Sequence, residues 1–303
     1  MNRSVCLCLF ALVASLIVHP TVLADSTLRV LLIPADGGTE DGTLADFRPV
    51  FSAVSRKTGV SFDLHVGQSY GAVVEAMTAR LADIAFFGPV SYLEARQRGA
   101  AELLAVAVED NASIYYAGIF VRAGSPIRSL ADLRGKSVAF GDVNSTSSFA
   151  YPVAMIISAG LDPVKDLGPV RMTGSHASSL NALAAGQVDA ACASFDSFEK
   201  AVQQNVLDPK TVRVLARSEP IPYPPLAMHP QLPDALKARL RAAFAEIHHA
   251  PGISPPMIRG YGGKQVDRYD TTASEETFAQ VGGKLAAVTD QIKSEILRKA
   301  AQR

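Results

Sequence analysis

A run of amide and hydroxyl side chains is the first feature of the sequence that could do chemistry. Residues 144–148, NSTSS, follow a strand-like segment, SVAF, and precede an apolar helical segment, FAYPVAMII. One such side chain suffices to cap a helix, so a longer run leaves donors to spare. Hydroxyl and backbone N–H groups at a helix start bind anions, with help from the helix dipole. The run therefore predicts an anion site, whereas the absence of a GxGxxG pattern or a phosphate-loop lysine disfavours a nucleotide.

Cys192 is the second residue with distinctive chemistry. The other two cysteines, Cys6 and Cys8, lie close to the N-terminus. A cysteine left alone in an exported protein has no disulfide partner, and its thiolate would bind soft centres. A small side chain buried in a strand is the plainer interpretation, and strand alternation allows either face. No zinc-ligand spacing occurs in the sequence, so no metal or cofactor is predicted.

Residues 1–24 are predicted to be a Sec-type signal peptide. Arg3 provides a positive start, an apolar core runs from Val5 to Val18, and VLA precedes a cut after Ala24. The core is shorter than the roughly 20 apolar residues of a membrane-spanning helix. Cleavage removes one basic residue, so the charges become 28 basic (29 − 1) and 29 acidic, a net of −1. We therefore expect a periplasmic protein with no nucleic-acid partner.

The elements that must position these residues alternate between strands and helices. LRVLLIP, DIAFFGP and ELLAVAV are apolar runs typical of buried strands, and amphipathic helical patterns lie between them. This alternation predicts an α/β fold built from parallel βα units. A proline-rich segment, residues 220–233, ends the alternation, and amphipathic helices follow it.

Two segments of the sequence match without a gap at a shift of 106 residues (175 − 69). Residues 69–88, SYGAVVEAMTARLADIAFFG, correspond to residues 175–194, SHASSLNALAAGQVDAACAS. Each has the pattern of a loop, a helix, an aspartate-containing connection and a strand. Ligands of open α/β sheets bind beyond the carboxyl ends of strands. The match therefore predicts two similar lobes, which present Tyr70 and its counterpart His176 to a shared cleft.

Five motifs resemble those of the phosphate-, phosphite- and phosphonate-binding proteins of bacterial ABC uptake systems. They are SYGAVVEAM, ADIAFFGPVSYLEA, GDVNSTSSF, GSHASSLNALAAGQVDAA and IPYPPLAMHPQLP, in family order between about Arg29 and about Ala245. The resemblance implies a two-lobed, type II (Venus flytrap) α/β binding protein, each lobe a mixed sheet flanked by helices, without enzymatic activity. Residues 25–119 and 218–303 would form lobe 1, and residues 120–217 lobe 2.

The resemblance also implies which side chains contact a small tetrahedral or pyramidal oxyanion. Hydroxyl groups donate hydrogen bonds to its oxygens, and a carboxylate could accept one from a ligand O–H group. The positions that match the family's motifs are Tyr70, Tyr92, Ser145, Thr146, Ser147, His176 and Asp196. Packing on a helix face is the alternative role for Tyr92.

Cys192 departs from the family pattern, in which this position is small and apolar. Trivalent arsenic binds thiolates. In having a cysteine at this position, the chain resembles a branch of the family that senses arsenite. This resemblance implies arsenite bound through Cys192, and as partner a membrane histidine kinase that controls arsenite oxidation. The alternative is a phosphite, phosphonate or phosphate ligand delivered to an ABC permease. A Cys192–His176 nucleophile–base pair would instead make an enzyme, but no local signature supports one.

Overall fold

The computed structural model describes residues 27–34 and 40–302, so the predicted signal peptide, residues 1–24, lies outside the described residues. The strands are β1 Thr27–Leu32, β2 Ser61–Val66, β3 Ile84–Phe86, β4 Glu102–Val108, β5 Ile114–Tyr115, β6 Ala117–Arg122, β7 Val138–Phe140, β8 Val170–Met172, β9 Ala190–Ser194, β10 Val212–Arg217, β11 Ile221–Pro222, β12 Pro225–Met228 and β13 Arg268–Asp270. The helices are α1 Glu40–Thr58, α2 Tyr70–Thr78, α3 Pro89–Gln97, α4 Tyr151–Ser158, α5 His176–Ala184, α6 Phe195–Gln203, α7 Asp234–Ala245, α8 Glu275–Lys284 and α9 Asp290–Ala301. Within these ranges, no helix has the length and apolar character needed to cross a membrane.

The first sheet is mixed, with the strand order β13-β4-β12-β3-β1-β2, and forms the centre of lobe 1. β1 pairs in parallel with β2 and β3, whereas β12 runs antiparallel to β3 and β4. Val30, Leu32 and Phe86 are at most 1% exposed, as expected for strands covered by helices on both faces. Phe47 of α1 packs on Phe86 with ring centroids 5.0 Å apart.

The second sheet is also mixed, with the order β10-β6-β9-β7-β8, and forms the centre of lobe 2. β7 pairs in parallel with β8 and β9, and β6 runs antiparallel to β9 and β10. β9 is buried along its whole length. Two mixed sheets flanked by helices confirm the predicted fold class.

The chain crosses between the sheets at two short strands, β5 and β11. They pair antiparallel, with Tyr115 opposite Ile221 and Ile114 opposite Pro222. Each crossing leads directly into a strand of the other lobe, from β5 to β6 and from β11 to β12. The two crossings thus run side by side between the lobes.

The observed lobes differ from the predicted boundaries at two places. β6 pairs with β9 from Ala117 onwards, so the whole strand belongs to lobe 2, although the predicted boundary followed residue 119. Helix α9 packs on β8 of lobe 2, and Nζ of Lys299 donates to the carbonyl oxygens of Val164 and Leu167, each at 2.6 Å. Amphipathic periodicity predicts that α9 forms, but it does not identify the lobe that covers its apolar face.

Candidate functional site

The helices of the internal repeat begin at equivalent residues in the two lobes. α2 begins at Tyr70 and α5 at His176, and the preceding serines, Ser69 and Ser175, each accept a hydrogen bond from a backbone N–H three residues on. The Tyr70 hydroxyl lies 3.5 Å from Nε2 of His176, and both side chains are at most 1% exposed. The repeat therefore brings one residue of each lobe to the same buried point, as the sequence predicted.

Hydrogen bonds fix the orientation of the His176 ring. The backbone N–H of Ser194, at the end of β9, donates to Nδ1 at 2.9 Å, so the neutral ring carries its proton on Nε2. Nε2 lies 2.7 Å from the hydroxyl oxygen of Tyr261 and 3.4 Å from that of Ser145. His176 thus presents an N–H donor to hydroxyl groups of both lobes.

The hydroxyl-rich segment forms the helix start that the sequence predicted. Oγ of Ser145 accepts a hydrogen bond from the backbone N–H of Ser148 at 3.2 Å and caps a π-helical turn, residues 146–150, which continues into α4. Oγ1 of Thr146 accepts a hydrogen bond from the backbone N–H of Val90 at 2.9 Å. Because Val90 lies in the first turn of α3, this loop of lobe 2 is in direct contact with lobe 1.

Tyr115, in β5 at the crossing, adds a hydroxyl group beside this loop. Burial raises the pKa of Tyr115 well above its ordinary value, and hydrogen bonds with the hydroxyls of Ser147 and Thr146 oppose that shift only in part. The phenol therefore stays protonated and can donate. The ring of Tyr261 packs edge-on against Tyr115, with centroids 5.6 Å apart. Sequence reasoning missed Tyr115 and Tyr261; the two glycines after Tyr261, which mark a turn, are the local signal that could have directed attention to it.

Neutral hydrogen-bond donors from both lobes therefore converge between the sheets. We call this group the hydroxyl cluster; its members are Tyr70, Tyr115, Ser145, Thr146, Ser147, His176 and Tyr261. Buried donors of this kind can bind the oxygens of a small anion, because a low dielectric environment strengthens each hydrogen bond. The start of the π-helical turn and α4 adds backbone dipoles of favourable sign.

The structure places Tyr92 away from the hydroxyl cluster. Its hydroxyl donates to Oε2 of Glu275 at 2.5 Å, and its ring packs edge-on against Phe278 with centroids 5.1 Å apart. Burial, followed by the bond to Glu275, raises the pKa of the phenol. Tyr92 thus joins α3 to α8, so the geometry supports its packing role and not a ligand contact.

Asp196, in the first turn of α6, is bound by a cation from lobe 1. Nζ of Lys264 lies 3.3 Å from Oδ1 of Asp196, 2.9 Å from Oε2 of Glu109 and 3.8 Å from Oε2 of Glu199. Burial lowers the pKa of Lys264, but these carboxylates, led by Asp196, outweigh burial and hold that pKa above its ordinary value. The carboxylate predicted to accept a ligand proton is therefore part of an ion-pair group that joins the lobes.

Cys192 is a fully buried residue of β9. On one face of β9, Ala191 belongs to the apolar cluster of Leu180, whereas Cys192 on the other face belongs to the large cluster that extends into lobe 1 and includes Tyr115 and Tyr261. Burial raises the pKa of the thiol and so disfavours the thiolate that a soft ligand requires. Across the described residues, no group of three His, Cys, Asp or Glu side chains could hold a metal ion. Cys192 therefore lies on the face of β9 whose cluster includes tyrosines of the hydroxyl cluster, and its complete burial favours the plainer role of a small packed side chain.

Comparison with known proteins places the chain among transporter components. Residues 38–263 match the family described as ABC transporter, phosphonate, periplasmic substrate-binding protein. The phosphate-import protein PhnD of Mycolicibacterium smegmatis is 30% identical over 233 residues, which cover 73% of this chain and 71% of that protein.

Solved structures of similar fold include a phosphonate-transporter component and a complex with methylphosphonate. The binding protein component of an ABC phosphonate transporter from Pseudomonas aeruginosa has a TM-score of 0.74 at 20% identity and covers 91% of this chain and 98% of its own. PhnD1 from Prochlorococcus marinus, in complex with methylphosphonate, has a TM-score of 0.68 at 18% identity and covers 86% and 98%. These likenesses confirm the predicted periplasmic binding-protein fold.

Proposed function

The chain belongs to the phosphonate-binding family of periplasmic substrate-binding proteins of ABC transporters, and from that premise we propose that it captures a compact phosphorus oxyanion and delivers it to an ABC permease. The family consists of binding proteins, so the hypothesis of a Cys192–His176 enzyme is not retained. The predicted signal peptide, residues 1–24, and the periplasmic character of the family support a periplasmic location.

The observation that carries this proposal is the convergence of the hydroxyl cluster between the two lobes. Tyr70 comes from lobe 1, His176 and Ser145 come from lobe 2, and the hydroxyl oxygens of Tyr70 and Ser145 each lie within 3.5 Å of Nε2 of His176. An oxyanion with three oxygens can accept several such bonds at once, and each charge-assisted bond is stronger than a neutral one. Because both lobes supply donors, binding would favour the closed arrangement of the lobes, which a permease can recognise.

The enclosure of the hydroxyl cluster favours a small ligand. Tyr70, Tyr115 and Tyr261 are at most 3% exposed, so the rings that surround the donors leave little access for a long substituent. We therefore expect phosphite, methylphosphonate or phosphate rather than an extended organophosphonate. The similar proteins support a ligand of this size, since one is named a phosphate-import protein and another was solved with methylphosphonate.

Phosphorus oxyanions explain the site better than arsenite does. Arsenite would bond to the sulfur of Cys192, and burial of that residue favours the neutral thiol over the more reactive thiolate. The family and the Mycolicibacterium relative are transporter components, which favours a permease over a histidine kinase as the partner. The alternative hypothesis from the sequence is thus preferred to the main one.

Calorimetric titration of the mature protein, residues 25–303, tests the proposed function. Phosphite, methylphosphonate, phosphate and arsenite would be added separately, with reductant present. We expect saturable binding of at least one phosphorus oxyanion and none of arsenite. Binding of arsenite alone, or of no phosphorus oxyanion, would refute the proposal.

Cys192→Ala is expected to leave oxyanion binding within about twofold of the wild type, because a neutral thiol is only a weak hydrogen-bond donor to a phosphorus oxyanion. The change removes one buried atom, so the free energy of unfolding should fall by about 1 kcal/mol. Ala191→Gly, on the opposite face of β9, controls for a small cavity in the same strand. A large loss of affinity in Cys192→Ala alone would restore a ligand role for the thiol.

Gly141, directly after β7, determines the position of the loop that carries the hydroxyl-rich segment, residues 144–148. A Cβ atom added there would lie 2.3 Å from Oγ and 2.9 Å from Cβ of Ser148. We expect Gly141→Ala to displace the loop, lower the free energy of unfolding by about 1–3 kcal/mol and weaken oxyanion binding about tenfold. Gly282→Ala is the control, since a Cβ built at Gly282 meets no atom within 4 Å. Equal affinities of the two variants in a calorimetric titration would contradict this role.

A further inference from the structure

A turn from the C-terminal third of the chain, residues 260–264, enters the space between the lobes. The backbone N–H of Gly260 donates to the carbonyl oxygen of Lys264 at 2.8 Å and closes the turn. Gly262 and Gly263 have φ angles of 67° and 68°, which side chains other than glycine rarely adopt. The two glycines therefore allow the backbone conformation of this turn. In that conformation the side chain of Tyr261 points towards His176.

Contacts on both sides hold the turn in place. A Cβ atom on Gly260 would lie 2.6 Å from the hydroxyl of Tyr223, so the backbone packs closely against lobe 1. At the other end of the turn, Nζ of Lys264 contacts carboxylates of Glu109 in lobe 1 and Asp196 in lobe 2. Tyr261 is thus positioned by elements of both lobes.

The Tyr261 hydroxyl lies nearer to Nε2 of His176 than the hydroxyls of Ser145 and Tyr70 do. The two atoms lie 2.7 Å apart, and the Tyr70 hydroxyl lies 3.3 Å from that of Tyr261. The side chain is 1% exposed, and its ring lies near Phe86 and Tyr115. Its place is therefore the centre of the cluster and not the surface.

The direction of these hydrogen bonds gives Tyr261 a chemical role. Nδ1 of His176 accepts from the backbone N–H of Ser194, so Nε2–H is the donor towards the Tyr261 oxygen. The phenol proton of Tyr261 can then be donated to the Tyr70 hydroxyl, 3.3 Å away, or to an oxygen of a bound anion in its place. A hydroxyl that accepts one hydrogen bond becomes a better donor of its own proton, and anions are the acceptors that gain most.

We infer that Tyr261 binds the phosphorus oxyanion directly, as a hydroxyl donor that the turn of residues 260–264 adds to the hydroxyl cluster. The inference rests on the proposed function. It adds a ligand contact outside the sequence motifs from which the other site residues were predicted. The ring of Tyr261 would remain in Tyr261→Phe, so the substitution isolates the hydroxyl.

Tyr261→Phe is expected to weaken binding about tenfold for whichever of phosphite, methylphosphonate and phosphate the wild type binds. Tyr269→Phe is the matched control. Tyr269 is also buried, and its hydroxyl donates to the carbonyl oxygen of Arg259, outside the cluster. We expect Tyr269→Phe to bind within about twofold of the wild type, because its hydroxyl has no ligand to contact. Titration calorimetry of the mature chain measures all three proteins.

Thermal unfolding without ligand separates binding from folding. If Tyr261→Phe unfolds at a temperature no lower than Tyr269→Phe but binds about tenfold more weakly, the hydroxyl acts on the ligand. If Tyr261→Phe binds as the wild type does, or loses affinity only as far as Tyr269→Phe does, the inference is wrong and the proposed function stands. If the wild type binds none of the three anions, the proposed function fails and the inference fails with it.

Discussion

Replacing His176 with alanine is expected to weaken binding of the phosphorus oxyanion about 100-fold. The substitution removes the Nε2–H group that holds the Tyr261 hydroxyl, and a hydrogen bond from that hydroxyl to a charged ligand contributes roughly 1.5–3 kcal/mol. It also removes the ring nitrogen that lies 2.7 Å from the Tyr261 hydroxyl and 3.4 Å from that of Ser145. These two hydroxyl groups are then no longer held in position by His176. Titration calorimetry with the wild type's tightest ligand among phosphite, methylphosphonate and phosphate measures the loss.

His229→Ala is the control for His176→Ala. His229 is also buried, and its Nδ1 accepts the backbone N–H of Gln231 at 3.2 Å, as Nδ1 of His176 accepts that of Ser194. His229 follows β12, and its backbone N–H donates to the carbonyl oxygen of Asp83, just before β3. The hydroxyl cluster lies near the other end of β3. Each variant leaves one backbone N–H without its acceptor, so each should lose about 1–3 kcal/mol of stability. Similar affinities of the two variants would show that His176 is structural only.

The internal repeat explains why part of the site could be predicted from one sequence. A serine cap, an apolar helix face and a following strand are local features, and the shift of 106 residues shows which local features are equivalent. Two equivalent units in one α/β protein place their helix starts at the same cleft. Tyr70 and His176 therefore could be matched before the structure was known. The capped start at Ser145 followed from the same kind of local chemistry.

Tyr115 and Tyr261 could not be predicted in this way, because their positions depend on long-range packing. Tyr261 is 191 residues from Tyr70 along the chain, yet their hydroxyls are 3.3 Å apart. No spacing rule links such residues. The approach of Tyr261 depends on the positive φ angles at Gly262 and Gly263 and on the ion pairs of Lys264, which are properties of the folded chain.

Tyr92 and Cys192 show a different limit, which is the direction of a side chain on a correctly predicted element. The sequence predicted a helix around Tyr92 and a strand around Cys192, and both elements form. Periodicity tells which residues share a face, but it does not tell which face the cleft will meet. The alternative that assigned the side chain to packing agrees with the bond of Tyr92 to Glu275 and with the complete burial of Cys192.

Thr146→Val is the second substitution with a large expected effect, because it removes the contact between the lobes as well as one hydroxyl of the hydroxyl cluster. Oγ1 of Thr146 accepts the backbone N–H of Val90 at 2.9 Å. Valine has nearly the same shape but no acceptor, so closure would bury the Val90 N–H without a partner at a cost of about 1–3 kcal/mol. An open form leaves that N–H in water. Since the proposed ligand site lies between the closed lobes, we expect about 30-fold weaker oxyanion binding.

Thr58→Val separates closure from general loss of stability. Oγ1 of Thr58 accepts the backbone N–H of Val60 at 3.2 Å, but both residues lie within lobe 1. Thr58→Val should therefore lower the free energy of unfolding while its oxyanion affinity stays within about twofold of the wild type. Small-angle X-ray scattering adds a direct reading of closure: the ligand-induced contraction of Thr146→Val should require a higher ligand concentration than that of Thr58→Val. If both variants contract over the same range, the contact with Val90 does not stabilise the closed lobes, and the hydroxyl cluster must hold them together without it.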